Sequence, residues 1–234
     1  MSLAPSRKEL VAGILLIVGL ILAYAGQLVA VIAWPVRFPI GYHLLGDLSV
    51  RQCDALVEDF ASRFLCSPQH GWFAAGLIGA GVCAILAGIL LGQRWIVLIL
   101  LGASLILWTF FPLDVAPTPH LWTGVLTFAL FWFAVLLARP RFAFTWMWCV
   151  IALIGAGFAL RHFYATPPGT PGVYQRIAID ALSLGLLMHA SWLISRSRQA
   201  SPKKRAARQR RDEEAAEKDA ALRAASEAME NPHD

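Results

Sequence analysis

Six apolar runs, each about the length of a bilayer-crossing helix, occupy most of the chain: Leu10–Ala33, Gly71–Leu91, Trp95–Phe111, His120–Ala138, Phe142–Leu160 and Val173–Ser195. At roughly 1.5 Å per residue, a helix of about 20 residues spans the ~30 Å hydrocarbon core. A water-soluble fold of this length could not bury so many such helices. The hydrophobic share is 58% and the mean hydropathy +0.60, as expected when lipid is the solvent. The predicted fold class is an all-α, polytopic bundle of six transmembrane helices. Every polar group inside those runs then needs a partner or a function.

The net charge of +5 is not a nucleic-acid signature, because the basic residues are sorted by loop. Arg7 and Lys8 precede the first run, Arg94 follows the second, and Arg139 and Arg141 follow the fourth. Arg196, Arg198, Lys203, Lys204, Arg205, Arg208, Arg210 and Arg211 follow the sixth. The alternate side carries only Arg37, Arg51, Arg63, Arg161 and Arg176. By the positive-inside rule both termini are cytoplasmic and the chain crosses six times. The first run is too long for a secretory signal and reads as an uncleaved helix. The expected location is a plasma membrane, and the short outer loops without N-x-S/T sites fit a bacterial inner membrane. Residues 1–195 form the transmembrane domain with an outer cap at 34–70. Residues 196–234 form a tail, first basic and then Ala-rich with mixed charge. The basic part is expected to lie on anionic headgroups, and the rest to be a solvated helix or disordered.

Cys83 and Cys149 lie inside apolar runs and read as small buried hydrophobes. Cys53 and Cys66 lie in the first outer loop, an oxidising compartment, and are expected to form a disulfide; a metal pair would need further Cys or His at ligand spacing. Within that loop, Leu48, Cys53, Leu56, Val57, Phe60 and Phe64 recur at near-helical spacing, which predicts a short amphipathic helix over 49–64. The second run carries Ala80, Ala84, Gly88 and Gly92 four apart, a groove suited to close helix packing.

The ionisable residues gather at the outer ends: His43, Asp47, Asp114, His120, Arg176 and Asp180. Arg176 and Asp180 are four apart and share a helix face. Asp180 lies about two turns into its helix and needs a partner there. One reading makes Arg176 a clasp that holds the cap through Asp47 or Asp114. The other makes the group an outward-facing pocket for a headgroup or a proton. Ligand types for zinc are present, but only His43 and Asp47 stand one helical turn apart, so no metal or other cofactor is assigned. His189 is out of phase with Asp180 and stays outside the group.

Gly46-Asp47-Leu48-Ser49-Val50, then Cys53, then Cys66-Ser67-Pro68-Gln69-His70 resembles the first outer loop of the domain-of-unknown-function 998 membrane family. Phe111-Pro112-Leu113-Asp114 with His120 is similar to that family's Phe-Pro-x-Asp … His, and Tyr174-Gln175-Arg176-Ile177-Ala178 to its Glu-Arg at the last helix. Gly46, Ser49 and Gln175 depart from the residues common there. The resemblance runs over residues 10–195 and implies a six-helix bundle with an outer-loop disulfide. It implies no activity.

The function expected first is a membrane protein that meets membrane lipids or a protein partner through the outer polar cluster. The alternative is a membrane-embedded lipid hydrolase or transferase that uses His120 with Asp47 or Asp114. The third is a small transporter with Asp180 as its protonation site.

Overall fold

The computed structural model describes residues 5–35, 38–58, 61–138, 144–164, 170–199, 206 and 210–220. It is mostly helical. Six long helices follow the apolar runs: α1 (Pro5–Ile32), α2 (His70–Leu91), α3 (Ile96–Thr109), α4 (Pro117–Leu137), α5 (Phe144–Tyr164) and α6 (Pro171–Gln199). Four long apolar stretches on α1, α2, α4 and α6 are long enough to cross a membrane: Arg7–Ile32, His70–Leu91, Pro117–Leu137 and Gly172–Ser197. The apolar stretches on α3 (Ile96–Thr109) and α5 (Met147–Gly157) are shorter.

Helix order around the bundle follows from chain connection and small residues. α1 packs between α2 and α6, α3 lies against α2 and α4, and α5 lies against α6. Where α1 crosses α2, a Cβ on Gly26 would lie 2.5 Å from the Trp72 carbonyl oxygen. A Cβ on Gly76 would lie 2.6 Å from that of Leu22. The two backbones meet because neither residue has a side chain, which is how helices associate when lipid removes the hydrophobic drive. Farther from the cap, residues of all six helices share one core that includes Leu16, Ala87, Leu98, Val135, Cys149 and Leu182. The outward surface keeps large apolar side chains, among them Ile21, Leu28, Ile89, Trp122 and Ile154. That inside-out pattern fits hydrocarbon around the bundle.

The outer loop corrects one expectation. Residues 49–64 do not form an amphipathic helix. A short 3-10 turn (Leu45–Ser49) leads into an antiparallel hairpin, β1 (Asp54–Glu58) and β2 (Ala61–Leu65), with Asp54 opposite Leu65 and Glu58 opposite Ala61. The Cys53–Cys66 disulfide closes the open end of the hairpin, with Cα atoms 4.2 Å apart. The physical reason is distance. Thirteen residues of helix would separate the two cysteines by about 20 Å, whereas a disulfide needs Cα atoms within ~7 Å. An antiparallel pair brings them side by side.

The fifth helix outruns its apolar run, which ends at Leu160: α5 continues through Arg161 to Tyr164. In the tail, residues 210–220 are helical and exposed. Most of the basic stretch 196–211 and the rest of the mixed-charge segment lie outside the described residues.

Candidate functional site

The cap must satisfy its own backbone, because regular pairing covers only the hairpin. Helix-end side chains and backbone supply the partners. The Gly172 N–H at the start of α6 donates to the Gly41 carbonyl at 3.1 Å. One turn on, Gln175 Oε1 accepts the Leu45 N–H at 2.7 Å. Asp114 Oδ2 accepts the N–H groups of Arg51 and Gln52 at 2.8 and 2.9 Å. Ser49 Oγ accepts the Leu113 N–H at 3.2 Å and donates to the Gly46 carbonyl at 2.7 Å. Ser67 Oγ donates to the Leu48 carbonyl at 2.9 Å. The cap is thereby tied to α6, to the segment before α4 and to the approach to α2. Beneath it Trp34, Phe38, Leu45, Leu48, Phe73 and Leu77 form a second apolar core.

His43 and Asp47 form a buried pair at 2.9 Å. Asp47 is 0% exposed. Its Oδ2 also accepts the Leu44 N–H at 3.0 Å. A carboxylate can only accept here, so the His43 Nδ1 carries the proton. The rings of Trp34, Phe38 and Tyr42 stand 5.2 to 6.0 Å from the His43 ring and enclose it.

Arg176 lies beside this pair on α6. Its guanidinium carbon stands 5.5 Å from the Phe38 ring centre, a cation–π arrangement. Its charge is felt with those of Asp180 and Asp47. Among the described residues, its Nε and one terminal nitrogen, Nη2, are buried with no hydrogen-bond partner. Asp180 finds its partner elsewhere: the Tyr24 hydroxyl of α1 donates to Asp180 Oδ1 at 2.5 Å.

His120 stands apart from that group. Its Nδ1–H donates to the Phe111 carbonyl at 2.7 Å, and its Nε2 faces Gly46, where a Cβ would lie 2.5 Å away. A cavity of about 230 Å³ opens on the same side, lined in part by Ser49, Arg51, His70, Leu77, Trp108 and His120.

The six sequence candidates therefore divide into two sets. His43, Asp47, Arg176 and Asp180 gather under the cap against α6. Asp114 and His120 serve the α3–α4 side. The suggestion that Asp114 shares the Arg176 cation is not met: both cap amides converge on its Oδ2, and the carboxylates acting on Arg176 are Asp180 and Asp47. His120 lines that cavity with neither Asp47 nor Asp114 beside it in the lining, while the charges of both carboxylates act on its ring. Among the described residues, no three His, Cys, Asp or Glu side chains are grouped to hold a metal ion.

Sequence reasoning missed four participants. Tyr24 is an isolated hydroxyl in an apolar run, which was the available signal. Gln175 and His70 stood only within the segments that carry the family resemblance, with no role assigned to either. Trp108 carries no signal by itself, because only the fold brings it to the cavity. His189 lies between Trp95 and Trp192, with ring centres 4.8 and 5.7 Å away.

The chain matches no protein-family model, no curated protein and no solved structure.

Proposed function

We propose that this chain is an integral membrane protein with six crossings and cytoplasmic termini. Its outer polar cluster holds the cap and engages a lipid headgroup. The observation that carries the reading is the half-buried Arg176 side chain, whose buried Nε and Nη2 have no acceptor among the described residues. A buried charged donor without a partner costs several kcal/mol at most and about 1–3 kcal/mol at least, so an external acceptor is favoured there. A lipid headgroup offers phosphate oxygen to Arg176 as a charge-assisted acceptor.

The sorting of basic residues supports the orientation, and the exposed apolar belt supports the lipid setting. The enclosure of His43 and Asp47 by aromatic rings favours a binding and ordering role over acid–base chemistry.

The test is thermal unfolding in detergent with and without phosphatidylethanolamine. A ligand at about 100 times its Kd stabilises by ~2.7 kcal/mol, which reads as a rise of several degrees for a chain of this size. The wild type is expected to gain that rise and Arg176→Gln to lose it. An equal rise in both proteins, or none in the wild type, overturns the reading.

A further inference from the structure

The cavity under the hairpin side of the cap is separate from the Arg176 cluster, and its walls differ in kind. Its floor is apolar: Phe73, Ala74 and Leu77 from α2, and Pro112 after α3. Its rim carries the Arg51 cation, His70 and the Trp108 indole. Arg51 is exposed at the cap edge. His70 opens α2, whose first turn carries no acidic residue. The His70 Nδ1–H donates to the Ser67 carbonyl at 3.2 Å, so Nε2 of the neutral ring is an acceptor. Trp108, also in the wall, has a buried indole N–H with no hydrogen-bond partner among the described residues.

The other polar groups in the wall are already committed. Ser49 is bonded to Gly46 and Leu113, Thr109 to the Ile106 carbonyl, and His120 to the Phe111 carbonyl. Among the described residues, no carboxylate lines the space. Asp114, the nearest acid in the cap contacts, spends Oδ2 on the amides of Arg51 and Gln52. Apolar depth, the Arg51 cation, the unpartnered Trp108 N–H and a helix N-terminus together describe an acceptor of negative charge attached to hydrocarbon.

We infer that this cavity binds one anionic phospholipid, with its phosphate on Arg51 over the start of α2 and its glycerol and upper chain on Phe73, Ala74 and Leu77. The location suits entry from the bilayer, because Ile78, Leu107 and Phe110 on the adjoining helices expose their side chains outward. The inference rests on the reading of the chain as membrane-spanning but not on Arg176. The floor is what separates a phospholipid from free phosphate, since inorganic phosphate has nothing to place on Phe73 and Leu77.

The experiment is native mass spectrometry of the full chain released from detergent after incubation with phosphatidylglycerol or phosphatidylcholine. The wild type is expected to retain one phosphatidylglycerol in preference to phosphatidylcholine. Arg51→Gln, at an exposed position, and Ala74→Phe, which fills the floor, should each lower that retention at least fivefold. Arg176→Gln should leave it unchanged, so this site and the cluster on α6 fail or succeed separately. Retention that survives Arg51→Gln overturns the inference, even if Ala74→Phe does not fold. Loss of retention in Arg176→Gln alone assigns the lipid to the other cluster and also overturns it. Displacement of the lipid by millimolar inorganic phosphate overturns the phospholipid assignment.

Discussion

Tyr24 on α1 and Asp180 on α6 share a hydrogen bond of 2.5 Å, with the phenol donating to Oδ1. The bond gives a carboxylate within an apolar helix a partner on another helix. It also leaves Arg176, one turn earlier on α6, free of the duty of pairing with Asp180 alone.

Tyr24→Phe removes the donor and keeps the ring. The expected loss is about 1–2 kcal/mol, since the acceptor is charged but membrane hydrogen bonds are worth less than isolated ones. Thermal unfolding in detergent measures it. Combined with Asp180→Asn, the losses should fall short of additivity by a comparable amount, as residues in direct contact do. Strict additivity would show that the bond carries no stability.

Gly46 and His120 are matched in shape. A Cβ at position 46 would sit 2.5 Å from His120 Nε2, so Gly46→Ala should cost ~1–3 kcal/mol through overpacking. The damage should be coupled to the ring: in a His120→Ala background the same substitution should cost much less. If Gly46→Ala costs as much without the imidazole, the clash is not the cause.

The Cys53–Cys66 disulfide spans a separation of 13 residues. Closing such a loop is worth about 3 kcal/mol in the chain-entropy model. Cys53→Ser with Cys66→Ser should therefore loosen the hairpin, while the helical core, which it does not touch, keeps its protection. Hydrogen exchange resolves the two. Faster exchange confined to residues 54–65 is the expected pattern, and a uniform increase across α1–α6 would contradict it.

The helices were legible because their signal is redundant: each apolar run repeats the same message over many residues, and lipid leaves the backbone few alternatives to a helix. The hairpin was not legible for the opposite reason. Leu56, Val57, Phe60 and Phe64 satisfy a helical spacing over a short stretch, where helix and strand patterns are hard to tell apart. Yet the expected pairing of Cys53 with Cys66 already contradicted a helix through 49–64, and covalent geometry prevailed over periodicity. For the polar residues, sequence gave the correct end of the bundle but not the correct partners. Arg176 and Asp180 share a helix, so their proximity was readable. Tyr24 with Asp180, and Asp114 with the amides of Arg51 and Gln52, depend on how separate segments dock, and no local pattern encodes that.

α3 has 14 residues against 22 in the neighbouring α2, so it rises only ~21 Å where its neighbour rises ~33 Å. Ile96, Leu100, Leu107 and Phe110 face outward along and just beyond it. The apolar girdle of the protein is therefore lopsided. In a bilayer, the leaflet on that flank would draw in to meet the shorter wall, at a fraction of a kcal/mol for each ångström of mismatch. A protein of this shape should partition toward thin, short-chained membrane regions, and gather there beside other proteins that deform the leaflet in the same direction.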